Sequence, residues 1–476
     1  MDHREIAEFE KAIDKIWTIA QRFGLDPFPV HFEIVPPTIM YEFGAYGLPE
    51  RFSHWTHGRA YQQIKTLYDY GLSKIYELVI NGNPAEAFLL ENNPTLENEV
   101  VVAHVLGHVD FFKHNAYFQK TDRQMVEGAA IHAERIRQYE FHHGSAEVEK
   151  FLDAVLSIQD HVDATARPVA EVTPGRKGAS VPATAYDDLF YLNGEGRPKP
   201  VPTSKKLPPE PDADLLGFIA RHARYLEDWQ RDIVDLVRSE QLYFVPQMQT
   251  KIMNEGWASY WHARIIRELD LSTEDHLEFS RMHAGVLATS RRQINPYYVG
   301  MKILEDIEKR WDNPTEEERK RFGRQPGQGK AKLFEVRELE SDASFLRGYL
   351  TRDLVDELDL YLYRLQGNQW VIVEKDWEKV RDTLVRSVTA YGRPYIVVED
   401  GDYRRNGELY LSHLFEGEDL DTVYAEKTLR YVYQLWGRPV HLDTVVNGKR
   451  TVYSYDGGAS WSVRKLEEHP TVQHAL

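Results

Sequence analysis

Two histidines one helical turn apart, His104 and His108, are the residues whose spacing most directly indicates chemistry. At about 100° per residue, this i, i+4 spacing places both imidazoles on one helix face, within reach of a single cation. The same spacing occurs in HExxH metallopeptidases, in which the glutamate of the motif is the general base. Val105 occupies the place of that glutamate here. The pair therefore predicts a metal site whose base comes from another part of the chain.

The residues around the pair indicate that this helix is buried. Val101, Val102, Leu106 and Val109 make nearly the whole segment apolar. Buried imidazoles need polar partners, and a single cation would satisfy both of them. Alternatively, each histidine bonds a carbonyl or a carboxylate in the core. Gly107 would allow another backbone or a ligand to approach closely.

A second segment, Met253–His262, supplies the third predicted ligand. It contains an Asn-Glu-Gly sequence like the one that provides the carboxylate ligand in many zincins. Glu255 and His262 are seven residues apart, close to two helical turns, so one helix face could present both groups. The alternative is a helix with one buried ion pair. We predict that His104, His108 and Glu255 bind the metal, with water in the fourth position.

The missing base is predicted in a third helical segment, Met125–Glu134. Small residues follow Glu127, which predicts a buried carboxylate with a raised pKa, suited to general acid or base catalysis. Equally, Glu127 could pair with an arginine such as Arg135 or Arg281. Glu127 is therefore the first candidate for the catalytic base, and His262 is the second.

A di-metal site is a further alternative, with weaker support from the sequence. A carboxylate and histidine di-metal oxidase would use Glu127, His132 and Glu134 near the same cavity. Such sites use a pair of Glu-x-x-His motifs, and the sequence contains only the one that starts at Glu140, so this alternative ranks last.

In the segment 51–59, two histidines lie near two arginines. They could orient metal ligands or bind an anion, although ordinary polar surface residues are slightly favoured.

Composition limits the class of protein and of metal. The chain has 476 residues, 42% of them hydrophobic, which is typical of a folded protein with two or three domains. Its net charge of -17 argues against nucleic acid and anionic membranes as partners. The absence of cysteine leaves histidine and carboxylate ligands, which favours Zn, with Mn or Fe as alternatives. A charged N-terminus and the lack of a long apolar run predict a cytoplasmic protein without a transmembrane segment.

Apolar spacing predicts that the elements positioning these residues are mostly helices, as far as about residue 294. A segment dense in proline and glycine, about 167–211, is predicted to be a linker or a long surface loop. Val30–Tyr46 contains two adjacent prolines and is predicted to be an extended loop rather than a strand.

From about Lys332 the sequence changes to short elements with β-rich patches. A helix, a Gly-Arg-Pro sequence and a β-hairpin occur twice, in 384–413 and 429–455, and Asn447-Gly448 is a favoured hairpin turn. The predicted fold is α+β: a mostly helical region, 1–324, with a zincin-like pair of metal-site helices, then a smaller C-terminal α+β module of tandem helix-hairpin repeats, 325–476. The module shows no catalytic cluster, so we expect it to be structural or to bind an unidentified protein partner.

Six segments of the sequence resemble the stage V sporulation protein R (SpoVR) family: Phe32–Phe43, Gly47–Trp55, His104–Asn115, Met253–His262, Asn295–Met301 and Tyr349–Leu354. The resemblance covers nearly the whole chain. It implies a bacterial protein linked to formation of the spore cortex, a peptidoglycan layer, with relatives in bacteria that form no spores. It does not imply a molecular activity.

The residues and the resemblance together predict a metal-dependent, zincin-like hydrolase of an amide or related bond, acting in envelope or cortex biogenesis. The alternative is a non-catalytic cytosolic regulator or scaffold that acts through the C-terminal module. In that case the metal would be structural or absent.

Overall fold

A computed structural model describes residues 3–70, 77–164, 206–289, 294–367, 369–389, 392–458 and 461–465. The chain divides into two compact units. The first consists of Met1–Leu152 and Ser239–Arg393, and the second of Asp153–Arg238 and Pro394–Leu476. The predicted loop at 167–211 lies outside the described residues as far as residue 205.

The described helices are, in chain order, α1 (His3–Arg22), α2 (Pro37–Tyr46), α3 (Trp55–Asp69), α4 (Thr95–His114), α5 (Met125–His143), α6 (Ser145–Leu156), α7 (Leu215–His222), α8 (Asp228–Gln249), α9 (Lys251–Arg267), α10 (Thr273–Val286), α11 (Pro296–Asp312), α12 (Glu316–Phe322), α13 (Gly329–Leu339), α14 (Asp342–Tyr349), α15 (Arg352–Glu357), α16 (Trp377–Thr389) and α17 (Thr422–Trp436). None of them combines the length and the apolar character needed to cross a membrane.

The described strands are β1 (Val30–Val35), β2 (Glu77–Ile80), β3 (Ala85–Leu90), β4 (Leu362–Gln366), β5 (Gln369–Glu374), β6 (Ile396–Tyr403), β7 (Glu408–His413), β8 (Val440–Val446), β9 (Lys449–Tyr455) and β10 (Ser462–Lys465). The N-terminal part of the chain is mostly helical and the C-terminal part contains a sheet, which confirms the predicted α+β class.

A three-stranded sheet in the order β1-β3-β2 lies in the first unit, with β1 parallel and β2 antiparallel to β3. The prediction of an extended loop for Val30–Tyr46 was wrong, because the two prolines follow the strand rather than interrupt it. Pro36 precedes α2 and Pro37 is its first residue. Proline is well tolerated at that position, where its missing N–H has no partner to lose.

The first unit is built around α4, whose side chains are buried on every face between Val101 and Phe112. A helix that is apolar all round is a core helix. The helix α9 packs against it so closely that a Cβ atom on Gly107 would lie 2.7 Å from the Cα atom of Ala258. This confirms the predicted close approach at Gly107. The helix α9 also packs closely against α11: a Cβ atom on Gly256 would lie 2.4 Å from the carbonyl carbon of Gly300.

The helices after residue 325 contribute to the same core. Leu333 of α13, Phe345 of α14 and Val380 of α16 are buried in one cluster with residues of α4 and α9. In addition, the carboxylate of Asp342 accepts hydrogen bonds from the backbone N–H groups of Ile252 and Met253, at the start of α9. The predicted boundary at 324–325 stays a prediction, but these helices support the elements that carry the predicted site.

The second unit contains a five-stranded sheet in the order β10-β9-β8-β7-β6. Its two hairpins, β6–β7 and β8–β9, are antiparallel, and β7 runs parallel to β8. Asn447 and Gly448 both have positive φ, as the predicted hairpin turn requires. A helix precedes each hairpin, but α16 belongs to the first unit and α17 to the second. The tandem repeat therefore stays a prediction.

Candidate metal centre

The structure brings the three predicted metal ligands together between α4 and α9. His104 and His108, each only 4% exposed, face Glu255 on α9. The Nε2 atom of His104 lies 3.7 Å from Oε2 of Glu255, and the Nε2 atom of His108 lies 3.5 Å from the same oxygen. Both imidazole Nε2 atoms therefore lie within 3.7 Å of one carboxylate oxygen.

These separations fit a cation better than hydrogen bonds. They are longer than ordinary N–H···O contacts. Around a tetrahedral cation with ligands at about 2.0–2.1 Å, neighbouring ligand atoms are roughly 3.3 Å apart. Moreover, His104 Nε2 and Glu255 Oε2 are buried and have no hydrogen-bond partner among the described residues. Because such atoms are costly to bury alone, the residues present fit a divalent metal between them.

A second carboxylate, which sequence reasoning missed, belongs to the same cluster. Glu77 is the first residue of β2, and its Oε1 atom lies 3.8 Å from His104 Nε2. Glu77, His104 and His108 each offer a ligand atom, and these atoms lie within 4.8 Å of one another. The only signal in the sequence is one carboxylate at the start of the apolar run Leu78–Ile80. Helical spacing cannot relate a strand residue to α4.

Hydrogen bonds behind the two histidines fix the orientation of their rings. His108 Nδ1 lies 2.9 Å from Oδ1 of Asn254, so its Nδ1–H donates to the amide oxygen. Its Nε2 atom is then left with a free lone pair that faces Glu255. Partners of this kind select the tautomer that binds a metal.

His104 is held by a chain of two further imidazoles. Its Nδ1 atom lies 2.8 Å from Nδ1 of His262, and His262 Nε2 lies 2.9 Å from Nδ1 of His283. If His104 keeps its Nε2 lone pair for a metal, its Nδ1–H donates to His262, whose Nε2–H donates to His283. Both ring nitrogens of His262, the second candidate for the base, are thus occupied, one by His104 and the other by His283. His283 was not predicted.

The electrostatics of the site favour neutral histidines and protonated tyrosine. Burial, together with nearby His104, lowers the pKa of His108 to about 4. Burial also holds the pKa of His262 well below its usual value. Metals bind neutral imidazole, so His108 need lose no proton at pH 7 to bind one. Burial and the charges of Glu255 and Glu77 raise the pKa of Tyr297, which stays protonated.

A cavity of about 270 Å³ lies beside the cluster. Among the described residues, Glu77, His104 and Tyr297 line it, whereas His108 and Glu255 do not. The Tyr297 ring stacks on His104, with centroids 5.9 Å apart. Burial is the main cause of a raised pKa for Glu77, with the charges of Glu255 and Glu97 adding to it. The cluster thus has one side that is buried in protein and one side that faces open space.

The first candidate for the base lies elsewhere. Glu127 is exposed on α5 and is not among the residues that line the cavity, so its predicted burial was wrong. Of the small residues after it, Ala129 faces the core, and positions two apart on a helix point in nearly opposite directions. The proposed di-metal residues also have other partners: His132 contacts Glu240 at 3.0 Å, and Glu134 accepts hydrogen bonds from Arg137.

The histidines of segment 51–59 lie in the protein interior, next to the start of α3. His54 and His57 are both buried, so their interpretation as polar surface residues was wrong. His54 precedes α3, and its Nδ1 atom accepts a hydrogen bond from the backbone N–H of Thr56. His57 donates from Nδ1 to the carbonyl of Phe52, 3.2 Å away.

Buried neutral histidines predict that the metal-free protein loses stability in mild acid. Burial lowers the pKa of His57, His108 and His283 to about 4, against about 6.5 in an unfolded chain. Between these values the unfolded chain binds protons that the folded chain does not, so the free energy of unfolding falls as the pH falls. We expect a loss of about 1–2 kcal/mol per histidine between about pH 7.5 and about pH 5, measured by urea denaturation. The His57→Gln variant should show a weaker pH dependence, and a constant free energy of unfolding would contradict the prediction.

Comparisons with known proteins give three findings. The family model described as SpoVR like protein matches residues 3–393, and the one described as SpoVR-like C-terminal domain matches residues 394–447. The uncharacterized protein YcgB of Escherichia coli (strain K12) is 28% identical over 456 residues, which is 89% of each chain. No solved structure matches the chain. The family regions meet at residues 393 and 394, where the last segment of the second unit begins.

Proposed function

We propose that this protein, which belongs to the SpoVR family, is a zincin-like, metal-dependent hydrolase of an amide or a related bond. One observation carries the proposal: His104 Nε2 and His108 Nε2 both lie within 3.7 Å of Glu255 Oε2, and His104 also lines a cavity. Structural metal sites are closed by protein ligands, whereas catalytic sites keep one position open to water or substrate. A ligand cluster beside a cavity is typical of the catalytic kind.

His104, His108 and Glu255 would hold the metal, with Zn as the first choice and Mn or Fe as alternatives. Imidazole and carboxylate are ligands that these metals accept, and Asn254 and His262 orient the two rings. When bound, such a metal acts as a Lewis acid that polarises a carbonyl and lowers the pKa of water.

Glu77 takes the role of the base that the sequence left open. It lines the cavity beside His104, on the side where a substrate would lie, whereas Val105 is fully buried among apolar residues. A carboxylate in this position can accept a proton from attacking water and return it to the leaving group. The protonated hydroxyl of Tyr297, which also lines the cavity, can donate a hydrogen bond to the oxygen that becomes negative.

The two carboxylates should respond differently to the same substitution. We expect Glu255→Gln to remove a charged ligand, and therefore to weaken metal binding by more than the roughly 10- to 100-fold that is lost with a residue that only orients a ligand. Glu77→Gln should keep the metal but lower kcat by about 10²- to 10⁴-fold, because an amide cannot accept the proton. Metal content is measured by elemental analysis. Turnover is measured by mass spectrometry on a panel of N-acyl amines and peptidoglycan-derived peptides.

The paired variants also separate the competing assignments. Loss of metal in Glu77→Gln and retention in Glu255→Gln would exchange the two roles. If wild-type protein holds metal but hydrolyses no member of the panel, and if both variants function normally in cells, the hydrolase proposal fails. That result would favour a non-catalytic regulator that binds a protein partner through its C-terminal region.

The setting of the reaction is part of the same proposal. The family's name refers to sporulation, and we place the substrate in the biogenesis of the envelope or spore cortex, with the protein itself in the cytoplasm. Cell fractionation tests the location. Changes in the peptidoglycan composition of cells that carry Glu77→Gln test the setting.

A further inference from the structure

The cavity beside the cluster has an apolar wall formed by two helices. Glu97, Val100, Val101 and His104 lie on one face of α4, so the two valines precede His104 by about one helical turn. The helix α10 completes this wall with Met282 and Val286, and His283 of the same helix also lines the cavity. A group that enters the cavity with its reactive atom at His104 would therefore place its neighbouring atoms against aliphatic side chains.

The size of the cavity limits what this group can be. Its volume is about 270 Å³. An apolar cavity of about 150 Å³ is large enough to hold benzene. The space beside α4 and α10 can thus hold a phenyl ring or a chain of several methylene groups, together with the reacting carbonyl.

The acidic residues that line the cavity disfavour an anionic substrate group. Glu77 and Glu97 both line it, and their carboxylates would repel an anionic group. A cationic group would be attracted, but it would also lose its hydration against the valines and Met282. An uncharged group loses no such hydration, and it gains from burial of its apolar surface.

We infer that the substrate presents one uncharged, apolar group to this cavity, directly next to the bond that is cleaved. The inference rests on the proposed function and names the substrate class for the same site. The apolar wall of α4 and α10 selects the group, and the cluster of His104, His108 and Glu255 lies at its reactive end.

Hydroxamates that differ only in their tail test this inference on the full-length, Zn-loaded protein. Acetohydroxamate measures binding to the metal alone. Hexanohydroxamate adds an apolar chain, 6-aminohexanohydroxamate adds a positive charge to its end, and the monohydroxamate of adipic acid adds a negative one. In calorimetric titrations we expect hexanohydroxamate to bind roughly tenfold or more tightly than acetohydroxamate, because its chain is buried. Both charged analogues should bind more weakly than hexanohydroxamate.

A cavity-filling variant shows where the tail binds. Val286→Trp should reduce the affinity for hexanohydroxamate to that for acetohydroxamate, while leaving acetohydroxamate binding and Zn content unchanged. Leu277→Trp is the matched control, because Leu277 lies on the same helix and is 69% exposed. If Val286→Trp does not fold, Met282→Ala should enlarge the cavity and tighten the binding of octanohydroxamate.

The outcomes distinguish this inference from the proposed function. Absence of bound Zn, or no binding of acetohydroxamate, would count against the metal site alone. The cavity is then tested in metal-free, full-length protein with toluene, by saturation-transfer NMR, and Val286→Trp should remove the signal. The inference is wrong if hexanohydroxamate binds no more tightly than acetohydroxamate to Zn-loaded protein, or if toluene does not bind to metal-free protein. Tightest binding of the amino analogue would also overturn it, in favour of a cationic substrate group.

Discussion

The His104→Ala, His108→Ala double variant is expected to lose its metal. Wild-type protein purified without a histidine tag should contain roughly one Zn, Mn or Fe per chain. The double variant should contain at most about one tenth of that amount. Both substitutions remove a nitrogen that lies within 3.7 Å of Glu255 Oε2, so a single carboxylate would remain of the predicted ligands. Elemental analysis after gel filtration measures the difference.

A second pair of histidines serves as the control for this experiment. His142 and His143 are exposed at the end of α5, and replacing both by alanine removes the same number of imidazoles from the chain. This variant should keep its metal. Equal trace amounts in wild type and in both variants would show that the cluster binds no metal, and the proposed function would fail with it.

The Asp110→Ala variant is expected to lose about 3–5 kcal/mol of free energy of unfolding. Asp110 is fully buried on α4, and its carboxylate accepts hydrogen bonds from Arg337 Nη1 at 2.8 Å and from Trp257 Nε1 at 3.0 Å. It also accepts one from the backbone N–H of Asp26. Without the carboxylate, the guanidinium of Arg337 stays buried with no opposite charge beside it. Urea denaturation at neutral pH measures the loss.

An exposed pair provides the matched control. Asp69 pairs with Lys65 on α3, and about half of the Asp69 side chain is exposed. Asp69→Ala should therefore change the free energy of unfolding by less than about 1 kcal/mol. A similarly small change in Asp110→Ala would contradict the prediction. It would also weaken the view that α13, which lies after the predicted boundary at 324–325, helps to hold α4 and α9 together.

The local pattern of the sequence determined the parts of the site that lie within single helices. His104 and His108 share one face of α4 because a spacing of four residues is close to one turn, whatever the helix packs against. The same reasoning placed Glu255 and His262 on one face of α9, and the structure directs both toward α4. The six segments that resemble the SpoVR family were also sufficient to predict the family that the comparisons show.

Only the tertiary structure decided which other residues join them. Helical spacing fixes directions within one helix, but it says nothing about a strand residue such as Glu77 or about neighbouring helices, which supply His283 and Tyr297. For the same reason, the small residues after Glu127 predicted a buried carboxylate, whereas Glu127 is exposed. The sequence determined which groups lie on one face of a helix. Packing between α4, α9, α10 and β2 determined which faces meet.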